Sequence, residues 1–326
     1  MLITLLVSIA LPASTLLFLQ NRQVQTFLTK KVTEKISENL QTHIEIEKVA
    51  ITFFNRLMIK EIYIEDFHGD TIVYADKLKV TLGKINQNSR QIKLNRLTLD
   101  DAKINLLSDS TGTLNLVPFI ELLRNPDKPK DERWKPGFGT IVLNDSKLRI
   151  SKKKQESQKK GIDFDDMIME KLNVKVKRLN IVGDTVSMDI HKLSFSEQSG
   201  FEVNDLTSYF TLSKRHMQFT NTHIETPFTY LSISSLRMEF NDFKDFQNFT
   251  NTVNTEIVLR SSEINFQDIG YFSGSLMNYD EQIRFSGRLK GTIDNLSGDK
   301  IILAYNDNTT LYGNFNLIGL PEIKQT

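Results

Sequence analysis

The side chains in this sequence that could do chemistry stand apart from one another. The five histidines are His43, His68, His191, His216 and His223, and none shows a paired metal-ligand spacing. Asp100-Asp101 and Asp165-Asp166 are adjacent carboxylate pairs. Neighbours on a strand point to opposite faces, so these are poor acid–base partners. Cysteine is absent, which excludes disulfides, thiolate metal sites and cysteine nucleophiles. Gly137-Phe138-Gly139 is a lone Gly-x-Gly after a proline-rich stretch and reads as a turn. Neither a P-loop nor a nucleophile elbow appears. Asn144, Asn248, Asn295 and Asn308 begin glycosylation-like triplets, as chance provides in an Asn-rich chain. No catalytic set, cofactor or metal site is expected, and the chain reads as a non-enzyme.

Composition narrows the partners. Lys plus Arg is 41 and Asp plus Glu is 40, a formal charge of +1. That balance argues against nucleic acid, whose binders usually carry a basic excess. Apolar content, 39%, is low for a globular chain with a compact core. The basic run Lys152–Lys160, KKKQESQKK, reads as a solvated loop before it reads as a phosphate or lipid-headgroup contact.

The elements that would position a function are clearer than any site. Leu2 to Leu19 carries no charge. At about 1.5 Å per residue, a helix of that length matches a bilayer's hydrocarbon core. Residues 1–21 therefore read as an uncleaved transmembrane anchor. A cleaved signal peptide ending near Ala10 is the alternative, but it leaves a very short apolar centre. Arg22, Lys30, Lys31 and Lys35 follow the run and no Lys or Arg precedes it. Charge alone thus favours a cytoplasmic body; a periplasmic body requires basic residues upstream of Met1. In residues 22–41, Val24, Phe27, Leu28, Val32, Ile36 and Leu40 recur at helical spacing and predict an amphipathic helix.

From His43 the apolar period changes to two. Residues 42–124 read as strands joined by tight polar turns, an antiparallel meander, with one slip at Lys60-Glu61 that implies a bulge. Leu114 to Leu123 reads as a short apolar helix. Residues 125–139 hold three of the seven prolines and read as a linker that neither helix nor strand crosses. Residues 140–326 resume the alternation, with short helical excursions at Asp242–Thr250 and Asp268–Leu276. This second segment is expected to continue beyond Thr326, since nothing in the sequence closes the last strand.

Strands with one apolar and one polar face fit a closed sandwich, a membrane barrel, or a long sheet curved into an open trough. The barrel fits worst, because the strands are short, lack aromatic girdles and follow an apolar helix. If the sheet is a trough, its lining is Ile44, Ile46, Leu78, Val80, Leu82, Ile92, Leu94, Leu172, Val174, Val176, Met188 and Ile190. Each of these could equally be sandwich core.

Four stretches carry a resemblance: IYIEDFHGDTIVYADKLKVTL at Ile62–Leu82, LSFSEQSGFEVNDLTSYFTL at Leu193–Leu212, FSGRLKGTIDNL at Phe285–Leu296 and GNFNLIGLP at Gly313–Pro321. In this order they resemble the N-terminal part of the translocation and assembly module TamB family, Bacteroidota form, within the wider AsmA-like group. The resemblance implies a mainly β fold: a membrane helix, then an elongated, curved antiparallel sheet forming an open hydrophobic groove, the β-taco. It implies a single-pass inner-membrane protein of a Gram-negative envelope with its body in the periplasm. The implied partners are phospholipid acyl chains, the inner membrane and an outer-membrane barrel of the TamA/BamA type, met through a C-terminal region not in this sequence. The implied role is lipid transport to the outer membrane and outer-membrane biogenesis. The alternative role is a scaffold or chaperone that assembles outer-membrane barrels by β-augmentation.

Overall fold

A computed structural model describes residues 21–53, 55–109, 112–118, 135–152, 161–272, 276, 278–306 and 308–320. The expected anchor, the second half of the expected helix Leu114–Leu123, and most of the linker and basic loop lie outside the described residues. The chain divides into two compact units, Met1–Lys154 and Gln155–Thr326, and both are mainly β. Among the described residues no helix is long and apolar enough to cross a membrane.

The first unit opens with helix α1 (Arg22–Leu40). Asn21 caps it by accepting the Gln23 amide at 2.8 Å, and Gln41 ends it in the left-handed region with φ 51°. Five strands follow: β1 (Ile44–Phe53), β2 (Arg56–Glu65), β3 (Thr71–Asn86), β4 (Gln91–Ser108) and β5 (Lys135–Lys152). They lie side by side in chain order. The first four form the expected antiparallel meander, with turns at residues 66–70 and 87–90.

Strand β5 corrects the sequence reading twice. It runs parallel to β4, with Gln91 opposite Lys135 and Ser108 opposite Lys152. A parallel partner needs a long crossover, which residues 109–134 supply. The strand also begins inside the expected linker. Pro136 is tolerated because it is the second residue of the strand, where a missing amide costs least. Gly137-Phe138-Gly139 is strand, not turn. Gly139 is there for a steric reason: a Cβ would lie 2.4 Å from the Asn95 carbonyl oxygen on β4.

The second unit contains β6 (Asp166–Val182), β7 (Thr185–Glu197), the short β8 (Glu202–Val203), β9 (Asp205–Leu212), β10 (His216–Glu225) and β11 (Tyr230–Glu239). After a 3₁₀ turn (Phe243–Asn248) and helix α2 (Phe249–Thr252) come β12 (Asn254–Asn265), helix α3 (Phe266–Gly270), β13 (Gln282–Gly291), β14 (Asn295–Tyr305) and β15 (Thr309–Ile318). From β6 to β15 neighbours are antiparallel and in chain order, with β8 set aside against β7. Gly183, φ 57°, makes the two-residue turn between β6 and β7.

A recurring irregularity organises both units. The bulge expected at Lys60-Glu61 is a Glu61 in the left-handed region, φ 48°, yet the register of β2 with β1 and β3 does not shift there. The neighbours slip at the same level. On β3 the apolar parity changes between Ala75 and Leu78, on β4 between Leu99 and Ala102, and on β5 between Leu143 and Leu148. Asp101 (φ 53°) and Asp145 (φ 45°) take the left-handed turn on β4 and β5. An extra residue would send every later side chain to the other face; the left-handed residue turns the strand back. In the second unit Lys171, Asn221 and Lys300 do the same at φ 51°, 49° and 52°. Where one strand slips and its neighbour does not, as for β10 against β9, the pairing shifts by a residue.

A strand interior that needs positive φ disfavours branched side chains most. Glu61→Val is therefore expected to destabilise the first unit by about 1–3 kcal/mol, while Glu61→Gly leaves it unchanged or slightly more stable. Chemical denaturation of both variants checks this.

Candidate functional site

The feature with functional potential is an apolar face, built rung by rung. In the first unit Ile44, Ile64, Val73, Ile104 and Leu148 are cross-strand partners in one rung. Beyond the kink come Val49, Ile59, Leu78, Leu99 and Leu143, then Ile51, Leu57, Val80, Leu97 and Ile141. The outermost pairs are Leu82 with Leu94 and Ile85 with Ile92. Rungs on both sides of the kink pack into one cluster: Val49, Ile59, Ile62, Ala75 and Ala102 are buried, with Ile46, Leu57, Ile64, Leu78, Leu99 and Ile104 against them. The kink therefore keeps both halves of each strand on the same face.

The second unit repeats the device. Met188, Phe210, Phe219, Leu236, Ile257, Leu289 and Gly298 form one rung across seven strands. Gly298 leaves room for the Phe315 ring of β15, whose nearest carbon would lie 2.5 Å from an added Cβ. Val186, Leu212, Met217 and Met238 form the adjoining rung. Ile162, Phe201 and Val203 make a separate small core, closed by Tyr271.

All the residues named from sequence as a lining fall on these strands. Ile44 (4% exposed), Leu172 (2%) and Val176 (9%) are buried. Ile46, Leu78, Val80, Leu82, Ile92, Leu94, Val174, Met188 and Ile190 are half-buried. In each unit a strand's main contacts are with the strands it is hydrogen-bonded to, and among the described residues no second sheet packs over the face. Sandwich cores interdigitate two such faces; here there is one.

Sequence reasoning missed the polar half of the device. A kink frees backbone groups, and buried hydroxyls take them up. Ser146 Oγ accepts the Ala102 amide at 3.2 Å and donates to the Asn144 carbonyl at 3.0 Å. Ser262 Oγ accepts the Ser232 amide at 3.0 Å and donates to the Arg260 carbonyl at 3.0 Å. Ser208 and Thr222 share a hydrogen bond of 2.7 Å. The legible signal was a serine at an apolar position directly after a parity slip.

The opposite face is charged. Lys79 Nζ meets Asp100 Oδ2 at 2.5 Å, and Asn144 Nδ2 donates to Asp100 Oδ1 at 2.7 Å. Burial pushes the Asp100 carboxyl up, but the hydrogen bonds from Lys79 and Asn144 and the charges of Lys79 and Lys77 hold it below the usual carboxylate range. Asp66 behaves alike. Burial raises it; hydrogen bonds from Asn115, the Asp70 amide and the His68 amide outweigh that and lower it. Arg178 pairs with Asp189 on the second unit's charged face.

The titratable candidates serve local structure. His43 Nε2 lies 2.9 Å from Glu45 Oε1, and His223 stacks on Tyr230. Ser213 Oγ is 2.6 Å from His216 Nδ1, but the same oxygen accepts the His216 amide and so closes the hairpin turn. Among the described residues no three His, Cys, Asp or Glu side chains are grouped to hold a metal. Neither a scan against protein-family models nor a search of curated proteins finds a match to this chain.

Two outcomes follow. Ser146→Val leaves the Ala102 amide buried without a partner and should cost about 1–3 kcal/mol in unfolding free energy. Because the folded carboxyls of Asp66 and Asp100 are lowered, their stabilisation is present above the unfolded value of about 3.9 and is lost as pH falls through the folded values. Denaturation at pH 7 and pH 3 should show that loss, and Asp66→Asn with Asp100→Asn should reduce it.

Proposed function

We propose that this chain is a TamB-like, membrane-anchored groove that carries phospholipid acyl chains from the inner membrane towards the outer membrane. One observation carries the reading: each unit holds an apolar face over which no second sheet packs among the described residues, and in the second unit only its ends are closed, by Tyr271 and by Phe243 and Phe246. An acyl chain needs such a surface and no specific site. Burial stabilises each methylene by about 0.8 kcal/mol, so leaving the face is costly. Moving from rung to rung exchanges one apolar contact for another, so translation along it costs little. The four stretches resembling the TamB family and the uncharged run Leu2–Leu19 support the same assignment, with the run as anchor and the body in the periplasm.

The chaperone reading is favoured by a different observation. Strand β15 has no charged residue, and it exposes Leu311 (62%), Tyr312 (75%) and Ile318 (75%). Proteins usually blunt a free edge with charge, proline or a covering element. An edge without those devices accepts another strand.

Native mass spectrometry of the detergent-purified chain tests the groove. Phospholipid should remain bound to the wild type. Leu236→Asp, which places a carboxylate in the middle of the second unit's main rung, should abolish the bound mass while the fold is kept. A lipid-free wild type would contradict the reading.

A further inference from the structure

Helix α1 lies against the edge strand β1. Of the apolar residues at helical spacing, Val24 is half-buried and Phe27 is 61% exposed. Among the described side chains, Arg22, Thr26, Thr29 and Thr33 recur at helical spacing along a groove beside β1. Thr29 fixes the contact. Its hydroxyl accepts the Val49 amide of β1 at 2.7 Å and donates to the Gln25 carbonyl at 2.8 Å. Between helix and strand this leaves a groove of about 910 Å³.

The charges in that groove are not balanced. Arg22 and Lys30 enter from the helix and Lys48 from the strand, against Glu34 and Glu47. Glu34 is already shared by Lys30 (3.9 Å) and Lys31 (3.2 Å). Arg22 and Lys48 have no ion-pair partner among the described residues. Among the described side chains one positive charge is thus in excess, in a groove also lined by hydroxyls and by the apolar Ile46, a partner of Ile62 on the buried rung.

We propose that the groove between α1 and β1 binds a phosphate ester, the phosphodiester of a phospholipid headgroup, with Arg22 and Lys48 as its anion clamps. A phosphodiester carries a single negative charge, which matches the excess. Arg offers planar paired donors to phosphate oxygens and Lys a point charge. The threonine hydroxyls supply further donors. Ile46 joins the groove to the apolar face, so a headgroup held there would feed its acyl chains onto the first rungs. Phe27, exposed on the helix, suits contact with the bilayer surface from which such a lipid is drawn. The inference rests on the acyl-groove reading, and its test separates the two.

The experiment measures binding of the full chain in mild detergent to three probes: a phospholipid, a diacylglycerol with the same acyl chains, and inorganic phosphate. The phospholipid should bind about tenfold or more tightly than the diacylglycerol. Arg22→Gln with Lys48→Gln should remove that advantage and leave diacylglycerol binding unchanged. Lys31→Gln, on the same helix but outside the groove, should change neither. Equal binding of phospholipid and diacylglycerol, insensitive to the double substitution, overturns the headgroup site and leaves the acyl groove standing. Failure of diacylglycerol to bind, with phospholipid held only through Arg22 and Lys48, overturns the acyl groove instead. Inorganic phosphate bound as tightly as the phospholipid makes this a free-phosphate site and overturns the lipid assignment.

Discussion

A strand's side chains alternate, so one inserted residue exposes everything beyond it to the wrong face. The apolar face of this protein depends on meeting that constraint in strand after strand. The insertion is made at the same level in neighbouring strands, and a left-handed residue such as Glu61, Asp101 or Asp145 turns each back. Shared in this way, the slip leaves the pairing of β2, β3, β4 and β5 in register. Backbone groups freed by the bend are taken up by Ser146 in one unit and Ser262 in the other. Small residues, Ala75 and Ala102, occupy the crowded inner side of the bend.

With the rungs kept on one face, the remaining features follow. Most lining side chains are half-buried by their own neighbours rather than by a facing layer. The free edge at β1 is managed by α1, through the Thr29 hydroxyl on the Val49 amide. Strand β15 carries no charge, and among the described residues nothing covers its outer edge. Exposed ion pairs such as Lys214 with Asp184 add little to stability.

Much of this was legible in the sequence because period two is a strong signal. The strands from Ile44 to Ile64 and the helix Arg22–Leu40 were placed correctly, as was the helical excursion near Phe243, while the expected turn His68–Thr71 ends one residue earlier because Thr71 already belongs to β3. The slip at Lys60-Glu61 was legible as a bulge, but its sharing across strands was not, because register is a property of pairs. The parallel pairing of β5 was also hidden: local patterns do not encode strand direction, and Pro136 looked like a stop. The hydrogen bond from the Val49 amide to Thr29 was also hidden, since hydrophobic spacing does not say which polar group of a helix an edge strand will require.

The central claim is that the apolar face contacts lipid rather than a second protein layer. A photoreactive benzophenone side chain placed at Leu236, on the main rung of the second unit, and at its neighbour Arg237, on the opposite face, tests it most directly. The account predicts crosslinks from position 236 to phospholipid acyl chains in membranes, and none from position 237. Crosslinks from position 236 into the protein's own chain, with no lipid adduct, would contradict it.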